Sequence, residues 1–257
     1  MPVRALVAAA ALFDIEENSL RVALARLVAG GTVERDERGA YRLGEQAQPV
    51  QQQVVSWRRL EERVRPWHGG WIGVITNGLP RAGSRHAERA FRFFGFREFT
   101  SALHVRPDNL TLSLAETRGE LLSLGLPERA PVLAIAELDA LSDSRARSLW
   151  DTRKLVAEYR RSLAELEASA TRLADIPPNE AMVETFTLGG RVIRQLALDP
   201  LLPDPIVDGG QRRALVAAMR RYDKLGHAAW RAFFAEYRLT SVRAPVHSID
   251  EAGIRAA

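Results

Sequence analysis

Asn18, Arg21, Val22, Ala25 and Arg26 recur at steps that place them on one face of a helix. Asparagine and arginine are side chains that can read base edges, and arginine also holds phosphates. Arg35, Arg38 and Arg42 flank a short turn just after them. Further along, Arg81, Arg85, Arg89 and Arg92 follow one another at steps of four, four and three, so they stack on one helical face. Such a stripe can follow a phosphate backbone, or it can be a solvated or salt-bridged surface. A third basic run comprises Arg212, Arg213, Arg220, Arg221 and Lys224.

Other chemistries lack their residues. The chain has no cysteine, which excludes disulfide frameworks, thiolate metal sites and cysteine nucleophiles. His68, His86, His104, His227 and His247 are scattered without metal-ligand spacing. No phosphate-binding glycine loop and no nucleophile elbow is present. Nothing points to an enzyme, a metal or a cofactor.

The elements that must carry the basic residues follow from the pattern. Val3 to Leu12 is a short alanine-rich helix. Asp14, with Glu17 three residues on, has the form of a capping box for a second helix. Leu20, Ala23, Leu24, Leu27 and Val28 form its expected buried face, and Gly30-Gly31 its stop. Thr32–Arg35 and Ala40–Leu43 are expected to pair around Gly39. Two helices at a tight turn followed by a hairpin is the winged helix-turn-helix order, with the second helix entering the major groove. Residues 1–44 carry six arginines and six acids. That balance also suits a packing module with a solvated charged face.

Residues 45–66 are expected to be a linker helix with Val54, Trp57, Leu60 and Val64 on one stripe, ending at Pro66. Residues 67–140 alternate strand, helix, strand, strand, helix, strand, the ferredoxin-like order. Residues 141–257 read as helical, with Leu149, Val156, Leu163, Leu166, Ala170 and Leu173 lining a long first helix. Pro177-Pro178 breaks it, Leu198–Pro205 forms a rigid elbow, and a last long helix or helix pair runs from Arg212 to Tyr237. The fold class expected is thus α+β and multidomain.

The 257 residues include 36 basic and 32 acidic side chains, a net charge of +4; only Lys154 and Lys224 are lysines. Arginine supplies a planar donor fork suited to phosphate and guanine. No apolar run is long enough to span a membrane, and a cytoplasmic location is expected.

Several strings together resemble the PaaX family of bacterial transcriptional regulators. They are Leu20-Arg21-Val22-Ala23-Leu24-Ala25-Arg26-Leu27-Val28 with Arg38-Gly39-Ala40-Tyr41-Arg42-Leu43; Trp67-His68-Gly69-Gly70-Trp71; Gly95-Phe96-Arg97-Glu98-Phe99 through Val105-Arg106-Pro107-Asp108-Asn109-Leu110; and Asp199-Pro200-Leu201-Leu202-Pro203. The resemblance implies a winged helix, a ferredoxin-like middle domain and a helical C-terminal domain. It implies a homodimeric repressor of an aromatic-acid catabolic operon, released from operator DNA by an acyl-CoA such as phenylacetyl-CoA. Asn18, Ser19, Arg21, Val22 and Arg26 would then contact DNA, with Arg38 and Arg42 on its backbone. The sequence opens near the family's second helix, and Asn18 stands where an arginine is expected. The alternative expectation is therefore a ligand- or protein-binding module that has lost DNA binding because its winged helix is incomplete. The middle segment also resembles the fold of small CRISPR-associated nucleases. Their metal-binding carboxylate has no counterpart at Ile75-Thr76-Asn77, so a nuclease is not expected.

Overall fold

The computed structural model describes residues 1–36, 39–79 and 81–239. Arg38 therefore lies outside the described residues, as do the side chains of Arg81 and Arg85.

The N-terminal unit contains α1 (Val3–Ala11), α2 (Glu17–Ala29), β1 (Val33–Arg35) and β2 (Tyr41–Leu43). The strands pair antiparallel, with Glu34 opposite Arg42. Gly31 and Gly39, at φ +64° and +77°, take the left-handed turns. Met1 donates its N-terminal ammonium to the Tyr41 carbonyl at 2.6 Å, tying the chain start to the hairpin.

Two sequence expectations fail in this unit. Asp14 does not cap α2: it sits at φ +56° in the turn after α1, and Glu16 precedes the helix without a side-chain cap. Glu17 instead accepts from Arg21 one turn on, at 2.5 Å. The expected buried face is mostly uncovered. Leu24 is buried and Leu20 half-buried, but Ala23 is exposed, and Leu27 and Val28 remain 41% and 39% exposed. Apolar spacing defines a face, but burial requires a partner surface, and here few residues pack on it.

Between the units runs a short 3-10 turn, then α3 (Gln48–Val55), then a 3-10 stretch over Ser56–Arg63, bent at Arg59. Trp57 and Leu60 bury their side chains from this segment. The middle unit holds β3 (Trp71–Ile75), α4 (Arg81–Phe94), β4 (Arg97–Thr100), β5 (Leu103–Pro107), α5 (Leu114–Ser123) and β6 (Val132–Ile135). Its sheet order is β4-β5-β3-β6, with every pairing antiparallel. Ala87, Ala90, Phe91 and Phe94 of α4 and Leu121 of α5 join one core with Ile72 and Val74. Trp71 and Val105 join a second core with Trp150, Leu202 and Val207.

The C-terminal unit comprises α6 (Ala140–Arg147), α7 (Thr152–Arg172), α8 (Pro178–Ala197), α9 (Gly210–Ala229) and α10 (Arg231–Glu236). Leu149 precedes α7 rather than lying in it. The buried residues of α7 are Tyr159, Ser162, Leu166 and Ser169, three of them polar. Each hydroxyl has a hydrogen-bond partner on a later element: Asp199 for Tyr159, Gln195 for Ser162, and Glu184 and Tyr222 for Ser169. Paired hydroxyls can be buried at little cost.

The N-terminal unit docks on this helical layer. Ala5 packs in a cluster with Met182, Trp230 and Phe233, flanked by Leu12 and Phe13 from one side and Phe234 and Tyr237 from the other. The Phe13 and Phe186 rings meet edge-on at 5.1 Å, and the Trp230 indole donates to the Met182 carbonyl at 3.0 Å.

Candidate nucleic-acid interface and its supporting junction

Asn18, Ser19, Arg21, Val22 and Arg26 are all exposed on α2, so the structure brings these expected site residues together on one accessible helix. Val22 is 45% exposed and offers an apolar contact beside the polar ones. Arg21 is held by Glu17, and both side chains stay more than half exposed. Such a pair is weak in water and can be exchanged for a phosphate or base partner. On the hairpin, Arg42 is exposed and pairs with Glu34 at 2.8 Å. The Arg35 guanidinium lies 5.9 Å from the Tyr41 ring centre. Glu17 and Glu34 thus lower the positive charge that this face presents.

Of the α4 stripe, Arg89 and Arg92 are exposed. Arg212 departs from expectation. It is a buried residue, not a surface charge: it donates to the Leu202 carbonyl at 3.1 Å and faces Glu61 at 3.4 Å and Asp199 at 3.9 Å.

Arg212 belongs to a junction that composition does not announce. Asp199 is buried and accepts from the Tyr159 hydroxyl at 2.5 Å and from the Leu201 N–H at 2.8 Å. Burial raises its carboxyl above the ordinary range, against the pull of Arg212. Burial and the neighbouring carboxylate raise the Tyr159 hydroxyl as well. Leu201 is held at φ +51°.

The Arg106 guanidinium, fully enclosed, donates to the Phe94 carbonyl, to the Pro107 carbonyl at 3.0 Å and to Asn109 Oδ1 at 3.0 Å. Burial, and next the charge of Arg63, bring it down to about 9. Asn109 in turn donates to the Leu201 carbonyl at 2.6 Å. Arg65 pairs with Asp108 at 2.7 Å and donates to the Leu110 carbonyl at 2.8 Å. Trp150 donates to the Gly95 carbonyl at 3.1 Å and stacks on Trp71.

The strings Trp67–Trp71, Gly95–Phe99, Arg106–Leu110 and Asp199–Pro203, far apart in sequence, therefore meet at one place. Arg106, Asn109, Asp199 and Arg212 at its centre are buried, while Arg65 and Asp108 at its rim reach solvent, so the junction serves to position the units.

A groove of about 790 Å³ opens between α7 and α8. Leu12, Ala168, Val183 and Leu188 give it apolar walls, and Arg172–Glu184 and Arg191–Glu165 ion pairs span it. Leu12 brings the N-terminal unit to its edge. Among the described residues, no group of three or more histidines and carboxylates could hold a metal ion. No helix among them is long and apolar enough to cross a membrane.

An exposed helix followed by a hairpin, docked on a mixed α+β body, defines the class: an α+β chain with an accessible two-helix-and-hairpin segment and no assembled catalytic centre among the described residues. Comparison with known proteins agrees at that segment. Residues 1–47 match the family model described as PaaX-like protein, a regulator family, which bears out the resemblance read from the sequence. Among solved structures the chain is similar to an uncharacterized protein, Rv0674, from Mycobacterium tuberculosis. The two are 26% identical, with 89% of this chain and 91% of that chain covered and a TM-score of 0.53. No curated protein matches the chain.

Proposed function

We propose that this protein is a DNA-binding transcriptional regulator, a repressor of an aromatic-acid, phenylacetate-like catabolic operon that an acyl-CoA effector releases from its operator. One observation carries this reading: the family match covers residues 1–47, the same segment in which α2 presents Asn18, Ser19, Arg21, Val22 and Arg26 to solvent. In this reading residues 1–44 act as a winged helix, residues 67–140 as a ferredoxin-like domain and residues 141–257 as a helical domain. Arg42, with Arg38 beside it in sequence, approaches the DNA backbone from the hairpin. The regulator works in the cytoplasm as a homodimer.

The test is retention of the intergenic DNA adjacent to its own gene in a gel shift at low salt, with and without phenylacetyl-CoA. Retention that the thioester abolishes supports the proposal. No retention of any upstream DNA overturns it.

A second reading has its own support. The N-terminal unit is neutral overall, its α2 apolar face is largely uncovered, and the α7–α8 groove is of a size that suits a small ligand. These features favour a ligand- or protein-binding module without DNA binding. Thermal stabilisation by acyl-CoA thioesters, together with no DNA retention, would select it.

A further inference from the structure

The positive charge of this chain is concentrated away from the winged segment. Residues 210–239 carry seven basic and two acidic side chains, whereas residues 1–44 carry six of each. Arg212 points inward, but Arg213, Arg220, Arg221, Lys224, Arg231 and Arg238 are exposed. Arg213, Arg221 and Lys224, at steps of eight and three, share one face of α9.

Carboxylates do little to neutralise this face. Among the described residues, neither Arg221 nor Lys224 has a carboxylate within ion-pair distance, and Arg213 has only Asp204, at 3.8 Å. Arg220 reaches across to donate to the carbonyl of Arg58, bringing that second cationic residue alongside; Asp223, the acid of this stretch of α9, is taken by Arg58 at 2.9 Å. Like charges gathered on one surface repel, and a bound polyanion removes that repulsion.

The stripe also leads toward the N-terminal unit. Lys224 stands six residues before Trp230, about 9 Å along the helix axis. Trp230 belongs to the cluster that seats α1. Beyond it come Arg231, Arg238 and then Arg4 of α1, whose guanidinium lies 6.0 Å from the Tyr237 ring centre.

We propose that the Arg213–Arg221–Lys224 face of α9 is a second nucleic-acid contact, which holds the phosphate backbone of duplex DNA beside the site engaged by α2. Arginine forks fit phosphate bidentately, and a duplex presents one negative charge per roughly 1.7 Å of its axis, so a rigid row of cations meets a matching row of anions. The inference rests on the DNA-binding reading above.

The test is fluorescence anisotropy of the full chain on the intergenic duplex, and on a scrambled duplex, from about 50 to 200 mM salt, a range over which phosphate contacts dominate the change. In the triple variant R213Q/R221Q/K224Q, the slope of log affinity against log salt is expected to flatten by about two to three, since each phosphate contact contributes about 0.9. The preference for the intergenic over the scrambled duplex is expected to persist. The variant R153Q/R160Q/R161Q, which removes as much exposed charge from α7, is expected to leave the slope unchanged. Should the triple variant lose its circular-dichroism signal, Arg221→Gln alone is expected to flatten the slope by about 0.9. An unchanged slope in the α9 variants, or an equal loss in the α7 variant, overturns the second contact while leaving the function proposal standing. A wild-type chain that binds no DNA overturns both.

Discussion

Asn109 donates its side-chain amide to the carbonyl of Leu201 at 2.6 Å while accepting from the buried Arg106 guanidinium at 3.0 Å. One asparagine thus joins the loop after β5 to the elbow before α9. Replacing it with alanine leaves a buried guanidinium and a buried carbonyl each short of a partner. Asn109→Ala is expected to destabilise the fold by about 2–4 kcal/mol, read from urea unfolding. A loss within experimental error would mean that the Asn109 link adds nothing to the other contacts, such as Trp150 to the Gly95 carbonyl, that hold the two units.

Gly95 sits at φ +70°, and a Cβ there would lie 2.6 Å from the Pro200 Cα. Neither the backbone angle nor the proline can yield cheaply. Gly95→Ala is expected to cost about 2–4 kcal/mol by thermal denaturation.

Asp199 gives a pH dependence with a definite sign. Burial raises its carboxyl, so the folded chain keeps a proton that the unfolded chain releases near pH ~4. Its contribution to stability is therefore present below about pH 4 and is lost as pH rises through the folded-state value. The stability advantage of the wild type over Asp199→Asn is expected to shrink from about pH 4 toward neutrality. Urea midpoints of the two proteins across that range check this. A gap that widens with pH would mean that Arg212 stabilises the ionised carboxylate more than burial disfavours it.

Trp230 seats α1 on the helical layer. Trp230→Ala is expected to cost about 3–5 kcal/mol. Because the cluster holds α1, protease cleavage between α1 and α2 is expected to accelerate before the rest of the chain opens, as limited proteolysis would reveal.

The strands and turns were legible where one local rule decides them. Trp71–Ile75 is an apolar run and is a strand at those bounds; Gly39 holds the hairpin turn at positive φ. What depends on distant partners was not legible. Tyr159, Ser162 and Ser169 are buried on α7 only because Asp199, Gln195, Glu184 and Tyr222 arrive from later elements. Arg212 looks like one more surface cation in a basic run until Asp199 and the Leu202 carbonyl enclose it. Leu27 and Val28 show the converse, an apolar spacing without a covering surface. The family-like strings were visible one by one, but Asn109 and Leu201 lie 92 residues apart, and their contact required the fold. The α2 face was legible as a candidate because exposure of a polar helical face needs no distant partner.

The most direct measurement of the central claim compares the wild type with R21Q/R26Q on the intergenic and scrambled duplexes at one salt concentration. A base-edge contact contributes about 1–3 kcal/mol of discrimination. The ratio of the two affinities is therefore expected to fall at least about tenfold in the variant, with the circular-dichroism spectrum unchanged. A wild-type preference that survives intact in the variant would contradict the assignment of α2 as the reading helix.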